Sequence, residues 1–220
     1  MAANNVETIF TWYFRLNGYY TTPNFTVHKD FKKRPGGGEA DLMAVRFPHS
    51  KEEPRNYPFF RDETLVLKEK VDFVIAEIKS SKCCINPAWL NKDYRNVQYA
   101  IKWMGFLYDE KEIEIAAEEI YNTGIWQPKD REQVIRMISC GKDMDETLAN
   151  ETPSLLQIEL QRAVHFLHDR FNTGCNQINR ANWDQVIRDF ADLCQHEHDI
   201  ESLKQWVLGE KGTTPDIYTA

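Results

Sequence analysis

Apolar and polar positions follow two different periods along the chain, one typical of helices and one typical of strands. Spacings of three and four residues predict a first helix over Val6–Tyr20, ending near Asn17 and Gly18. Strands are predicted where apolar residues alternate or run together, at Phe25–Phe31, Glu39–Phe47, Val71–Lys79 and Gln133–Cys140, and no strand is expected after these. Helical spacing returns in five later stretches, which are Asn86–Phe106, Glu112–Tyr121, Leu155–Phe171, Trp183–Cys194 and Asp199–Leu208.

The order of these elements predicts an α/β fold, in which a mixed β-sheet is flanked by helices and followed by a helical C-terminal region. Val71–Lys79 is apolar almost without interruption until Glu77, which is typical of a central strand covered on both faces. Residues 48–70 carry three prolines, many charges and no sustained period, so we interpret them as an insertion between two strands. We therefore expect a core over residues 1–152 and a helical extension over residues 153–220 that packs on it.

Composition narrows the class of protein. The 220 residues, 42% of them hydrophobic and 28% charged, are typical of a globular chain. The longest apolar run, Trp103–Tyr108, is far shorter than the stretch of about 20 residues that a membrane-spanning helix needs. A formal charge of −7 argues against a protein that coats nucleic acid non-specifically, but it allows local basic patches. Five cysteines, an odd number that includes the adjacent Cys83 and Cys84, give no disulfide framework, so we expect a cytoplasmic protein.

Three charged residues interrupt strands that are otherwise apolar. Asp41 lies early in the second predicted strand, and Glu77 and Lys79 lie at the end of the third. Side chains alternate along a strand, so Glu77 and Lys79 point to the same face. If Asp41 lies at the same level on the neighbouring strand, two carboxylates and one ammonium meet. Such a cluster suits Mg²⁺, which takes oxygen ligands, uses one or two carboxylates and completes its shell with water and substrate phosphate.

The combination of Asp41 with Glu77-Ile78-Lys79 resembles the signature of the PD-(D/E)xK nucleases, the restriction-endonuclease-like superfamily, and has the general look of a bacterial nuclease-like member. The resemblance implies a restriction-endonuclease-like core that hydrolyses phosphodiester bonds of nucleic acid, with DNA favoured over RNA. It implies Mg²⁺ as cofactor, with Mn²⁺ as a substitute. Asp41 and Glu77 are then metal ligands, the backbone carbonyl of Ile78 is a further ligand, and Lys79 positions the attacking water.

Two further residues match the family pattern less closely. Glu7 corresponds to an optional acid in the first helix of the family, and the alternative is a solvent-facing acid in a first helical turn. Gln98 corresponds to a glutamine that some members carry in the helix after the signature strand. Lys102 stands where those members have tyrosine, and Ala40 precedes Asp41 where proline is common. An ordinary surface residue is the alternative for Gln98.

Basic residues near the predicted site are candidates for binding the phosphate backbone of a nucleic acid. Lys32, Lys33 and Arg34 precede the glycine turn that leads to Asp41, and Lys82 and Arg95 follow the signature strand. The alternative for the first group is a solvated hairpin tip. Because relatives that cut both strands are commonly dimers, a homodimer fits the resemblance, although no residue marks an interface.

Two alternatives to the nuclease interpretation stay open at the level of sequence. Glu77 and Lys79 could form a surface ion pair at the end of a strand, and such a pair contributes about 0–1 kcal/mol to the free energy of unfolding. The same fold could also serve as a catalytically idle nucleic-acid-binding or protein-interaction module. Metal titration distinguishes the second alternative, since an idle module should bind no Mn²⁺ at Asp41.

Overall fold

A mixed sheet forms the centre of the protein in the computed structural model, which describes residues 5–27, 38–50, 61–67, 69–173, 183–197 and 199–210. Its strands are β1 (Tyr20–Thr26), β2 (Glu39–Arg46), β3 (Val71–Ile78), β4 (Ile125–Trp126), β5 (Gln133–Gly141) and β6 (Leu156–Glu159). The strand order is β1-β2-β3-β5-β4, and β6 also pairs with β5. β2 runs antiparallel to β1 and to β3, whereas β5 runs parallel to β3 and β6. The predicted α/β architecture with a mixed sheet is confirmed.

β3 is the central strand that its apolar sequence predicts, since every residue after the first is buried. Phe73 and Ile75 pack against helices on one face of the sheet, whereas Val74 and Ala76 pack on the other face. β2 pairs with β3 in a register that places Met43 opposite Ile75. The paired register ends at Leu42 opposite Ala76, so Asp41 and Glu77 are the next residues of the two strands.

Helices cover both faces of the sheet. They are α1 (Asn5–Leu16), α2 (Pro87–Leu90), α3 (Asn96–Met104), α4 (Glu110–Thr123), α5 (Glu146–Glu151), α6 (Leu160–Asn172), α7 (Gln185–His196) and α8 (Ile200–Leu208). The apolar residues of α2, α3 and α4 pack on the Phe73 face, and those of α1, α6, α7 and α8 pack on the opposite face. In the described ranges, every helix is too short or too polar to cross a membrane.

The far edge of the sheet differs from the prediction. β6, which follows β5 in the chain, pairs with β5 as β3 and β4 do, so the expectation that the sheet ends at Gln133–Cys140 was wrong. The segment predicted as one helix over Leu155–Phe171 first forms β6 and then α6, which begins at Leu160. The helical C-terminal region expected over residues 153–220 therefore begins with a strand of the sheet. β6 has only four residues, and such a short apolar run cannot be distinguished from the start of a helix by periodicity.

The predicted helix Asn86–Phe106 is broken into α2, a 3₁₀ turn and α3. Asn86 caps the start as expected, because its side chain accepts a hydrogen bond from the Ala88 backbone N–H at 3.0 Å. The break lies at Arg95, whose φ of 57° is left-handed and ends the preceding turn. A left-handed residue cannot continue an α-helix, so α3 starts afresh after Arg95.

Parts of two predicted elements lie outside the described residues. β1 begins at Tyr20, earlier than the predicted strand Phe25–Phe31, and residues 28–37 are not described. Within the predicted insertion 48–70, residues 51–60 and 68 are not described. The described part of the insertion contains a 3₁₀ turn over Glu63–Leu65.

A buried carboxylate anchors that turn to the rest of the protein. Arg162 of α6 donates two hydrogen bonds to Asp62, from Nε at 2.8 Å and from Nη2 at 2.7 Å. The Tyr13 hydroxyl of α1 donates a third bond to Asp62 at 2.8 Å. The insertion is therefore tied to the helical layer that packs on the face opposite Glu77.

Candidate metal centre

The pairing of β2 with β3 brings Asp41, Glu77 and Lys79 together, as the sequence predicts. The Lys79 ammonium lies 3.0 Å from Asp41 Oδ2 and 2.9 Å from Glu77 Oε2. Asp41 Oδ2 also accepts a hydrogen bond from the backbone N–H of Ile78 at 2.7 Å. Asp41 and Lys79 remain partly open to solvent, with side-chain exposures of 21% and 29%. The cluster thus has one buried and one open side.

Glu77 forms the buried side. Its side chain is only 1% exposed, so the interpretation of Glu77 and Lys79 as a surface ion pair is wrong. Neither carboxylate oxygen has a hydrogen-bond partner of normal geometry among the described residues. The Lys79 ammonium lies 2.9 Å from Oε2 as an ion-pair partner, and the Asn86 backbone amide also stabilises the charge. A carboxylate this deeply buried pays a desolvation cost that another positive charge would offset.

Asp72, at the other end of β3, provides an internal comparison. It is as deeply buried as Glu77, but Arg136 donates a hydrogen bond to its Oδ1 at 3.0 Å. The Tyr19 hydroxyl and Arg136 also donate to Oδ2. The same strand therefore carries one buried carboxylate with a full set of protein donors and one without.

The pKa of Glu77 shows that its neighbours do not fully compensate for its burial. Burial raises the pKa of Glu77, and the Asp41 charge adds to the rise, while the Lys79 ammonium and the Asn86 backbone amide oppose it without cancelling it. Burial by itself would lower the pKa of Lys79, but its contacts with Glu77 and Asp41 raise it overall. Lys79 stays charged, and the cluster carries a net charge of −1 when both carboxylates are ionised.

The residues present fit Mg²⁺ in charge and in donor type. Among the described residues, no group of three or more His, Cys, Asp and Glu side chains is placed to hold a metal ion. Asp41 and Glu77 supply two carboxylates, which is the number that Mg²⁺ commonly takes from a protein when water and phosphate fill its other positions. Carboxylate oxygen is its preferred donor, and the net negative charge favours a cation.

The chain after Lys79 is held against β5 by a tight contact that the sequence did not reveal. The Lys79 backbone N–H donates to the Cys140 carbonyl at 2.9 Å, and the Cys83 N–H donates to the Asp143 carbonyl at 2.8 Å. A Cβ atom at Gly141 would lie 2.5 Å from the Cys83 nitrogen. A glycine at the end of a strand was the available signal, because glycine there permits close approach of another backbone.

A second supporting contact fixes the start of β2. The Trp89 indole of α2 donates to the Glu39 carbonyl at 3.2 Å. Asn96 of α3 lies so close to Gly38 that a Cβ atom there would be 2.7 Å from its side-chain nitrogen. Both contacts position the strand that carries Asp41, and neither residue was a candidate in the sequence.

Glu7 lies in the first turn of α1, half-buried. The buried residues of α1 pack with α6, α7 and α8 on the face opposite Phe73 and Ile75. The close contacts that define the cluster join Asp41, Glu77 and Lys79. A role for Glu7 beside them stays a prediction.

Gln98 is buried, which contradicts the alternative of an ordinary surface residue. Its side-chain nitrogen donates to Glu114 at 3.2 Å, and its side-chain oxygen accepts from the Tyr121 hydroxyl at 3.0 Å. Both partners belong to α4. In this structure Gln98 joins α3 to α4, and the catalytic role implied by the family stays a prediction.

The basic candidates fall into two groups. Lys32, Lys33 and Arg34 lie outside the described residues. Lys82 is exposed in the loop after β3, close enough for its charge to lower the pKa of Asp145 together with backbone hydrogen bonds at that carboxylate. Arg95 forms an ion pair with Glu114 of α4.

Comparison with known proteins identifies no relative. The chain matches no protein-family model, no curated protein and no solved structure. The geometry of the cluster is therefore the basis for assigning a function.

Proposed function

We propose that this protein is a Mg²⁺-dependent nuclease that hydrolyses phosphodiester bonds, with DNA as the substrate. The observation that carries the proposal is that the buried Glu77 carboxylate of β3 and Asp41 of the neighbouring strand β2 meet at the Lys79 ammonium, which directly follows β3. The antiparallel β2–β3 pair, the parallel neighbour β5 and the helices on both faces are in accord with a restriction-endonuclease-like core. That identity of the fold is part of the proposal.

In this proposal, Asp41 and Glu77 hold the cation, and the Ile78 backbone carbonyl is the further ligand. A bound Mg²⁺ supplies Lewis-acid polarisation of the phosphodiester and a lowered pKa for water. The Ile78 N–H fixes the orientation of Asp41 through the 2.7 Å hydrogen bond to Oδ2. Asp41 and Lys79 are open to solvent on the side from which a substrate can approach.

Lys79 has two tasks in the proposal. Its ammonium partly neutralises Asp41 and Glu77, which lets the chain bury Glu77 before a cation binds. Because its pKa is raised, the ammonium also stays charged while it orients water and stabilises negative charge that develops on the phosphate. Both tasks require a side chain that reaches the two carboxylates, and the distances of 3.0 and 2.9 Å satisfy this requirement.

The direct test is cleavage of plasmid, linear duplex and single-stranded DNA with Mg²⁺, with Mn²⁺ or with EDTA. We expect cleavage only with the cation, and its loss in Glu77→Gln and Lys79→Ala. Two variants of exposed ion pairs serve as controls, Glu118→Gln and Lys142→Ala, and should leave cleavage unchanged. Intact DNA in every reaction, or equal cleavage by the wild type and Glu77→Gln, would contradict the proposal.

The second candidate function is a catalytically idle nucleic-acid-binding or protein-interaction module on the same fold. One observation favours it, since Lys79 already gives both carboxylates a counter-charge without a metal. Calorimetric titration with Mn²⁺ distinguishes the two functions. A nuclease should bind Mn²⁺ through Asp41 and Glu77, whereas an idle module should give no binding heat that Glu77→Gln removes.

A further inference from the structure

A groove lined by aromatic and basic side chains runs between α3 and the end of β1. It consists of two adjoining cavities of about 380 and 250 Å³, which share Tyr99 and Lys102 as lining residues. Arg95 lines the first cavity, and Phe25 and Trp103 line the second. We call these five residues the α3 groove.

Trp103 offers a rigid and exposed ring in this groove. Its side chain is 60% exposed. The ring is supported from one side by the buried Phe25, with 4.4 Å between the ring centroids and an angle of 53° between the planes. A tryptophan held in place by a second ring can stack a planar ligand with little loss of side-chain freedom.

The cations of the groove lie on the same side of α3 as its aromatic residues. Tyr99, Lys102 and Trp103 follow the i, i+3, i+4 spacing of one helix face, and Arg95, immediately before α3, lines the same cavity as Tyr99 and Lys102. Lys102 pairs with the exposed Glu110 at 2.6 Å, and Arg95 pairs with Glu114. Because these ion pairs are solvent-exposed, a phosphate can compete for both cations. The face thus alternates aromatic surface with positive charge.

The groove adjoins the strand that carries Asp41. Phe25 lies opposite Ala40 in the β1–β2 ladder, and Ala40 immediately precedes Asp41. The Val27 backbone N–H also donates to the Gly38 carbonyl at 3.0 Å, which fixes the end of β1 beside the start of β2. A chain lying in the groove therefore passes close to the candidate metal centre.

We propose that the α3 groove binds a single strand of nucleic acid, with bases on Trp103 and Tyr99 and phosphates on Lys102 and Arg95. The inference rests on the proposed function, since it names the form of substrate that the metal centre receives. A duplex is disfavoured because its bases are stacked on one another and cannot present their faces to Trp103. Alternation of stacking platforms with cations is the arrangement by which proteins hold unpaired strands.

Binding in EDTA tests the groove without cleavage. The probes are fluorescein-labelled single-stranded DNA, its duplex and a single-stranded RNA of the same sequence, and the readout is fluorescence anisotropy. We expect the single strand to bind more tightly than the duplex, and Trp103→Ala to weaken single-strand binding by about tenfold, the effect of one stacking contact. Tyr108→Ala is the matched control, because Tyr108 is 95% exposed but lies outside the groove, and it should bind as the wild type does.

A charge variant gives an independent readout. Lys102→Ala should weaken binding to the single strand and lower the slope of log affinity against log salt concentration by about 0.7, the loss of one phosphate contact. Circular dichroism and thermal melting establish that each variant is folded. Trp103-dependent binding of DNA or of RNA supports the groove, and the comparison of the two identifies the sugar. Equal affinity for duplex and single strand, or equal behaviour of Trp103→Ala and Tyr108→Ala, would overturn the inference.

Failure of the groove and failure of the proposed function give different results. Glu77→Gln should lose cleavage but keep single-strand binding in EDTA. If Trp103-dependent binding occurs and no cation restores cleavage, the groove stands and the nuclease proposal fails. If a Glu77-dependent cleavage survives unchanged in Trp103→Ala on every substrate, the nuclease proposal stands and the groove fails.

Discussion

Asp41 accepts a hydrogen bond from the backbone N–H of Ile78, at 2.7 Å from its Oδ2 atom. This bond joins a side chain of β2 to the backbone of β3, so the orientation of Asp41 depends on the sheet as well as on Lys79. The same oxygen is the one that lies 3.0 Å from the Lys79 ammonium. Removal of the ammonium should therefore leave Asp41 in place and change mainly the charge of the cluster.

Lys79→Met should separate the two tasks of this lysine. Without the ammonium, Asp41 and Glu77 carry two uncompensated negative charges, and we expect Mn²⁺ to bind more tightly, by about tenfold or more from the Coulomb attraction alone. Cleavage of DNA should be lost, because no side chain orients water beside the phosphate. Calorimetry measures the affinity, and assays on plasmid, linear duplex and single-stranded DNA measure cleavage. Weaker Mn²⁺ binding in Lys79→Met would mean that Lys79 builds the site rather than competing with the cation.

Glu77→Gln should abolish the stabilisation that Mn²⁺ gives to the fold. A ligand that binds only the folded state raises the free energy of unfolding by about 2.7 kcal/mol when its concentration is about 100 times its Kd. We expect this increase, measured by urea unfolding with and without Mn²⁺, in the wild type and in the control Glu118→Gln. Without metal, Glu77→Gln should be at least as stable as the wild type, since a neutral amide replaces a carboxylate whose pKa burial raises in spite of its contact with Lys79.

A loss of stability in metal-free Glu77→Gln would show that the contact with Lys79 outweighs the burial cost. An undiminished Mn²⁺ effect in the same variant would place the cation elsewhere.

The candidate cluster could be predicted from sequence because its parts depend on local pattern. The continuous apolar run of β3 marks a central strand, and its alternation places Glu77 and Lys79 on one face. Asp41 follows from the pairing of neighbouring strands. The register of β2 against β3, which decides whether Asp41 reaches Glu77, is set by packing across the sheet and had to be assumed.

Other features depend on contacts that no local pattern records. The break before α3 comes from the left-handed backbone of Arg95. Arginine seldom adopts this conformation, so the sequence does not predict the break. β6 is a strand because it pairs with the edge of β5. Its four residues alone would also fit the start of the helix that follows. The burial of Gln98 depends on α4, whose partner residues lie 16 and 23 positions later.

Gly141→Ala should disturb the chain that follows Lys79. The new Cβ atom would lie 2.5 Å from the Cys83 nitrogen and 2.8 Å from the Ser81 carbonyl oxygen, so the loop or the end of β5 has to move. We expect a loss of about 1–3 kcal/mol in the free energy of unfolding, as for other overpacked sites, together with weaker Mn²⁺ binding. Urea unfolding and calorimetry measure the two effects.

The matched control is Gly105→Ala. Its Cβ atom meets nothing within 4 Å, but the backbone φ of +64° is left-handed, so a cost of about 1 kcal/mol without any change in Mn²⁺ affinity is expected. If both alanine variants bind Mn²⁺ as the wild type does, the contact at Gly141 stabilises the fold without positioning Lys79.

Asp62→Asn should make the free energy of unfolding less dependent on pH in the acidic range. Burial favours the neutral form of Asp62, but the hydrogen bonds from Arg162, Thr64 and Tyr13 outweigh it and lower the pKa to about 2 from an ordinary value of 3.8. The unfolded chain therefore takes up this proton at a higher pH than the folded protein does. The contribution of the ionised carboxylate to the free energy of unfolding, about 2 kcal/mol, is complete above pH of about 4 and is lost as the pH falls toward 2.

Urea unfolding at a series of pH values measures this effect. Asp62→Asn should be less stable than the wild type at pH 7, and the two should converge in acid. The exposed control Asp192→Asn should follow the wild type throughout. A gap between Asp62→Asn and the wild type that stays constant down to pH 2 would mean that Arg162 holds the insertion through packing rather than through the charge of Asp62.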